Sequence, residues 1–133
     1  MIPAFTDNGF LPPGLHPATL VEIAQRFGSS SELRRVQMQS VRWMVELALR
    51  AGAQKIVLNG SFVTDIIEPN DVDCVLLIGL DFPKDALAEQ GLLEGLPFLE
   101  IALVDQEEFD LFVNRFFAFD RMRQAKGMIE VIR

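Results

Sequence analysis

The chain is short of the residues on which several chemistries depend, beginning with cysteine and histidine, of which it has one each. With Cys74 alone, an intramolecular disulfide is excluded and a reducing cytoplasm is the expected compartment. With His16 the only imidazole, neither a His/Cys metal set nor a His-based triad can be assembled. Cys74 has no basic neighbour in sequence to lower its pKa, so it reads as a small hydrophobe and not as a nucleophile. Basic clusters are equally scarce: the densest is Arg121-Met122-Arg123 with Lys126, in a chain of net charge −7. Extended nucleic-acid binding draws most of its affinity from a basic face, so that class is set aside, whereas small nucleotides that bring their own metal are not. Long apolar runs are missing too. The longest, Val75 to Leu80, is far too short to span a bilayer, and no basic region precedes an apolar stretch at the N-terminus.

What is present suits one domain over residues 1–133, long enough for a real core without disulfides. A hydrophobic content of 50% is at the upper end for a soluble domain and suggests a protein partner or self-association. No repeat or low-complexity linker interrupts it. Residues 1–16 read as a loop-rich arm, punctuated by Asp7-Asn8-Gly9 and Pro12-Pro13-Gly14, with His16 at its end. The pattern then predicts a short helix with Pro17 at its first position, running to Phe27 and stopped by Gly28. Ser29-Ser30-Ser31-Glu32 reads as a capping box for a long helix to Arg50 with Gly52 as its stop. Its core stripe is expected at Leu33, Val36, Met44 and Leu47 with Val41, Val45 and Ala48.

Lys55-Ile56-Val57-Leu58 reads as a buried strand ending at Asn59-Gly60, and Val72 to Ile78 as a second. The connection from Phe62 to Asp71 is too short for a parallel crossover, so the two strands should be antiparallel. Gly60-Ser61 and the Asp71-Val72-Asp73 triplet then meet at one rim. Asp71 and Asp73, at i and i+2, project to the same face. Gly60-Ser61 also fits a bare hairpin turn, and Asp71 a structural Asx residue after Glu68-Pro69-Asn70. Asp73 is harder to explain that way, because it interrupts an apolar run, and a charge in a buried strand is costly unless paired or bound to metal.

Residues Asp81 to Pro97, with Lys84 to Gly91 helical, are long enough for a parallel crossover to a strand at Phe98 to Val104. Glu100 then starts that strand at the rim of Asp71 and Asp73. Asp65, in the intervening loop, competes with it for third place. Asp105, at the far end, reads as a helix N-cap with Glu108 in capping-box position. Beyond it, a helix bearing Phe109, Phe112, Val113, Phe116, Phe117 and Phe119 carries more aromatic surface than one small core needs, and is read as a candidate interface or homodimer surface. Gly127 to Ile132 closes the sheet as a last strand. The fold class is α/β (α+β), a mixed sheet packed against helices.

Gly-Ser, about ten residues, then Asp-x-Asp, with strands on either side, resembles the signature of the nucleotidyltransferase superfamily that includes polymerase beta and the minimal nucleotidyltransferases. The opening Ile2-Pro3-Ala4-Phe5 and Gly9-Phe10-Leu11-Pro12-Pro13-Gly14-Leu15-His16 is similar to the start of an uncharacterised bacterial family grouped with that superfamily. The resemblance implies that Gly60 and Ser61 grip a nucleoside triphosphate. It also implies that Asp71, Asp73 and a third acidic residue hold Mg2+ or Mn2+ and carry catalysis. The superfamily usually has aspartate in third place, where Glu100 reaches one methylene further. Hard divalent ions prefer such oxygen ligands, glycine permits close backbone approach, and amides of a helical turn over residues 61 to 65 would donate to phosphate. Cations for the phosphates are sparse, and Arg115, Arg121, Arg123 and Lys126 are remote in sequence. Small members of the superfamily also serve as antitoxins of toxin–antitoxin pairs, which gives a second expectation, a binding module for a basic partner protein.

Overall fold

The computed structural model describes residues 1–116 and 126–133. Among them one mixed sheet has strands β1 (Gly14–Thr19), β2 (Lys55–Asn59), β3 (Val72–Leu77), β4 (Leu99–Val104) and β5 (Gly127–Ile132), in the order β1-β5-β2-β3-β4. The helices are α1 (Leu20–Phe27), α2 (Glu32–Ala51), α3 (Ala86–Glu94) and α4 (Gln106–Leu111), the last continued by a π-helical stretch, Phe112–Phe116. The fold is mixed α/β, as the sequence predicts. β2 and β3 are antiparallel, and the crossover through α3 makes β4 parallel to β3, as the two connection lengths require.

The N-terminal expectation needs correction. Residues 14–16 are not loop, and Pro17 does not open a helix; both belong to β1, which pairs in parallel with β5 along its length. Among the described residues β1 is an edge strand with one unpaired side, so a residue without an N–H is tolerated there. The helix starts three residues later because Thr19 and Glu22 form the capping box. The Glu22 N–H donates to Thr19 Oγ1 at 3.2 Å and the Thr19 N–H to Glu22 Oε1 at 3.0 Å. Likewise α2 is capped by Ser31, whose Oγ accepts from the Arg34 N–H at 3.1 Å, and not by a Ser29–Glu32 box. Gly52, at φ 96°, ends α2 as expected. The crossover helix starts at Ala86, not Lys84, because the Asp85 carboxylate accepts from the N–H groups of Leu87 and Ala88.

The buried stripe of α2 is rotated from the expected one in its first half. Val41, Met44, Val45, Leu47 and Ala48 are core, but Leu33 is only half-buried and Val36 is 40% exposed. At 100° per residue Arg34 lies about 20° around the helix from Val41, and Val36 about 140°. The face that continues the core therefore carries Arg34 and Gln37, both buried, in place of the two apolar residues.

The sheet is covered on both faces. Ile56, Leu58, Cys74 and Leu76 pack with Ile23, Phe27, Val41, Met44 and Leu92 of the helical layer. On the other face Val57, Val75, Leu77, Val104 and Met128 pack with Phe109, and Phe112 and Val113 close over them. Two cores absorb much of the high apolar content. Phe109 belongs to one of them, so the expected phenylalanine helix is internal at its start; it becomes π-helical from Phe112, and Phe117 and Phe119 lie outside the described residues. β5 lies between β1 and β2 and not at the sheet margin. No helix among the described residues is long and apolar enough to cross a membrane.

The rotated stripe gives a direct test. Val36→Lys is expected to change stability by less than about 0.5 kcal/mol, whereas Met44→Ala, at a fully buried position, should cost about 2–5 kcal/mol. Urea denaturation of the two variants measures both.

Candidate metal centre

Strand register assembles the acidic rim. Asn59 of β2 pairs with Asp73 of β3, and Asp73 with Glu100 of β4, so the three residues form a row across the sheet. Side chains alternate along β3, and Asp73 shares the face of Val75 and Leu77 while Val72 and Cys74 enter the helical core. Asp71 precedes β3 by one residue. Asp71, Asp73 and Glu100 each offer a carboxylate oxygen, and these oxygens all lie within 4.8 Å of one another. Glu100 is the exposed member; the two aspartates are half-buried.

Asp65, the competing residue, is elsewhere. Its N–H donates to the Gly9 carbonyl at 3.0 Å, its carboxylate stands where a Cβ on Gly9 would be, and its charge acts on Arg34. Asp105 caps α4 as expected, accepting from the Glu108 N–H at 2.9 Å.

Gly60 links β2 to this rim in a conformation that L side chains rarely adopt, φ 88°. A Cβ there would also stand 3.1 Å from Asp73 Oδ2 and 3.4 Å from the Asp71 carbonyl. Position 60 is thus restricted both by its backbone and by the carboxylate beside it. The turn that follows is shorter than the 61–65 expectation: it is 3-10, covers Ser61–Val63, and uses the Val63 and Thr64 amides internally, donating to Gly60 and Ser61 carbonyls at 3.3 and 3.2 Å. Ser61 Oγ accepts from the Asn70 N–H at 3.0 Å, which ties the Gly-Ser turn to the residue before Asp71 and leaves the serine O–H as a donor.

The electrostatics follow from this crowding. Burial first, then the Asp71 charge, then the hydrogen bond and charge of Glu100, push the Asp73 carboxyl from the ordinary 3.8 to about 6. Lys126, immediately before β5, acts in the opposite direction on the same carboxyl. The cation that looked remote in sequence therefore belongs to the acidic rim, brought there because β5 inserts beside β2. No local pattern around Lys126 announced this. Arg121, Arg123 and the side chain of Arg115 lie outside the described residues. Burial, then the charges of Asp73 and Asp71, push the Cys74 thiol upward, in keeping with a packed hydrophobe. Beside the carboxylates a groove of about 340 Å³ is lined by Asp73, Cys74, Glu100, Ile101, Ala102 and Phe112.

The donor set fits a hard divalent cation. Oxygens that share one magnesium lie about 3 to 4.2 Å apart, and waters or phosphates complete its shell. Three carboxylates within 4.8 Å come close to that spacing. One sulfur-free, histidine-free cluster of this kind favours magnesium or manganese over zinc or copper.

The raised Asp73 carboxyl has a signed consequence for the metal-free protein. Its folded pKa of about 6 exceeds the unfolded 3.8, so it contributes stability fully present below 3.8 and lost as pH rises through about 6. In EDTA, the melting temperature of the wild type should fall relative to Asp73→Asn across that interval. Parallel melting curves for the two proteins would show that Asp73 is not perturbed.

Residues 3–132 match a family of unknown function, DUF6932. No curated protein matches the chain, and no solved structure does.

Proposed function

The chain belongs to DUF6932, a family of unknown function, and from its carboxylate cluster we propose that it is a metal-dependent nucleotidyltransferase acting on a nucleoside triphosphate. The observation that carries this reading is the convergence of Asp71, Asp73 and Glu100 within 4.8 Å, beside a Gly60-Ser61 turn whose position 60 is too close to Asp73 to accept a side chain readily. In this reading the three carboxylates hold Mg2+ or Mn2+, which when bound compensates the charge of the phosphates and of the leaving pyrophosphate. Gly60 lets backbone and phosphate approach closely. Ser61 donates its O–H to a phosphate oxygen while its own oxygen stays bound to the Asn70 N–H. Lys126 offsets part of the negative charge that accumulates when a triphosphate meets an acidic rim.

An acceptor hydroxyl attacks the α-phosphorus, the bond from that phosphorus to the α–β bridging oxygen breaks, and pyrophosphate leaves. The hydroxyl proton passes to a carboxylate oxygen of Glu100, the exposed member of the cluster. The antitoxin-like binding module is the second reading, and the net charge of −7 is what favours it. It would stand if the first fails.

Mn2+ with nucleoside triphosphate should raise the melting temperature of the wild type, since a ligand at 100 times its Kd stabilises by about 2.7 kcal/mol. The double variant Asp71→Asn, Asp73→Asn should fold and lose that increment, because removing charge from an acidic cluster relieves repulsion. Glu100→Gln should lower metal-dependent pyrophosphate release by roughly 10²–10⁴-fold at undiminished stability. An unchanged thermal shift in the double variant would move the ligand elsewhere. A wild type that neither shifts nor releases pyrophosphate would leave the binding-module reading.

A further inference from the structure

Two buried polar side chains of α2 converge on the loop between β2 and β3. Arg34, only 3% exposed, donates from Nη1 to the carbonyls of Phe27 at 3.0 Å and Phe62 at 2.7 Å. From Nη2 it donates to the carbonyls of Thr64 at 2.9 Å and Ile66 at 2.5 Å. One turn further along the helix, Gln37, fully buried, donates from Nε2 to the Pro69 carbonyl at 2.7 Å. The chain from Gly60 to Asp71 is thus gripped at residues 62, 64, 66 and 69, and its two ends are joined by the bond from the Asn70 N–H to Ser61 Oγ.

Loop carbonyls without a strand partner need donors, and water or a hydroxyl would satisfy each one singly. A guanidinium does more. Its planar fork is rigid, so carbonyls that share it are fixed relative to one another, and its burial is costly enough to need a return. The carboxylate two residues beyond Pro69 is Asp71, whose charge acts on Asp73 within the rim, so its place there depends on how the loop backbone is held.

We infer that Arg34 is a positioning residue for the acidic rim: it fixes the Gly60–Asp71 loop so that Asp71 stands with Asp73 and Glu100 before any ligand arrives. Gln37 serves the same end at Pro69. The inference rests on the metal-binding reading given above. Arg34 touches neither metal nor nucleotide in it, and acts through Asp71 alone.

The test uses the full chain and Mn2+ alone, with affinity measured by calorimetry. Arg34→Lys keeps the charge but replaces the fork by a single ammonium, and should weaken Mn2+ binding roughly 10–100-fold, the usual effect of losing a group that orients a ligand. Added to Asp71→Asn it should cost nothing more, because the residue it positions is already disabled; added to Glu100→Gln, the two effects should multiply. Met44→Ala, destabilised at a position that makes no hydrogen bond to the loop carbonyls, should bind Mn2+ as the wild type does. If Arg34→Lys does not fold, Gln37→Met removes one loop bond and should weaken Mn2+ severalfold with the same dependence on Asp71. Wild-type affinity in the foldable variants, or losses that multiply with Asp71→Asn, would overturn the positioning role alone. A wild type that binds no Mn2+ would overturn it together with the metal reading, and that outcome is distinguishable from the others.

Discussion

The register of the three strands β2, β3 and β4 is the constraint on which both cores and the acidic rim depend. Asn59, Asp73 and Glu100 share one row of one face, while Val72, Cys74 and Leu76 fill the opposite core. Strand side chains alternate, so a slip of β3 by one residue would exchange the two sets. Asp73 would then enter a layer where Val72 and Leu76 have no exposure, and an unpaired charge there is prohibitive. Apolar packing therefore selects the arrangement that leaves the carboxylate at the edge. The charge in turn opposes the wrong register.

Within that frame the protein tolerates a concentration of like charge. Burial and two neighbouring carboxylates hold Asp73 well above the usual carboxylate range, and the lysine that precedes β5 at the same rim relieves only part of this. Strongly perturbed groups of this kind cluster at functional sites, and structural charge networks produce them too. Around the rim, the stabilising interactions are directed at backbone: α2 is apolar where it meets the sheet through Val41, Met44, Val45 and Ala48, and polar where it meets the loop through Arg34 and Gln37. One helix thus serves as core wall in one half and as loop anchor in the other.

Much of this was legible from local pattern. The runs at Lys55–Leu58, Val72–Ile78 and Phe98–Val104 are too apolar and too short to be anything but strands, and the lengths between them fix their relative directions. With direction known, Glu100 follows as a residue at the rim of Asp71 and Asp73, and Asp105 as a cap; the register that sets Glu100 opposite Asp73 comes from the structure. What was hidden is long-range. β1 contains a proline and a histidine and has little strand character of its own; only its pairing with β5 makes it one. Lys126 has no motif, and its part at the rim appears only once β5 lies beside β2. Arg34 looks like a solvated residue in the pair Arg34-Arg35, because the apolar neighbours Leu33 and Val36 offer a competing stripe. The loop's need for donors decides the rotation, and a helical periodicity does not contain that information.

The parallel pairing of β1 with β5 joins Gly14 to Gly127 and Thr19 to Ile132. Every other named element lies between them in the chain, so this pairing closes the largest loop the topology allows. The entropy of closing such a loop is lost before its contacts repay it, and folding rates fall as sequence separation grows. Among the described residues β1 has no other strand beside it, and the arm ahead of it bonds Gly9 and Phe10 to Asp65 and Thr64. Among the strands, the β2–β3–β4 unit with its carboxylate row closes over short separations, whereas the β1–β5 pairing, and with it the placing of Lys126, carries the largest closure cost.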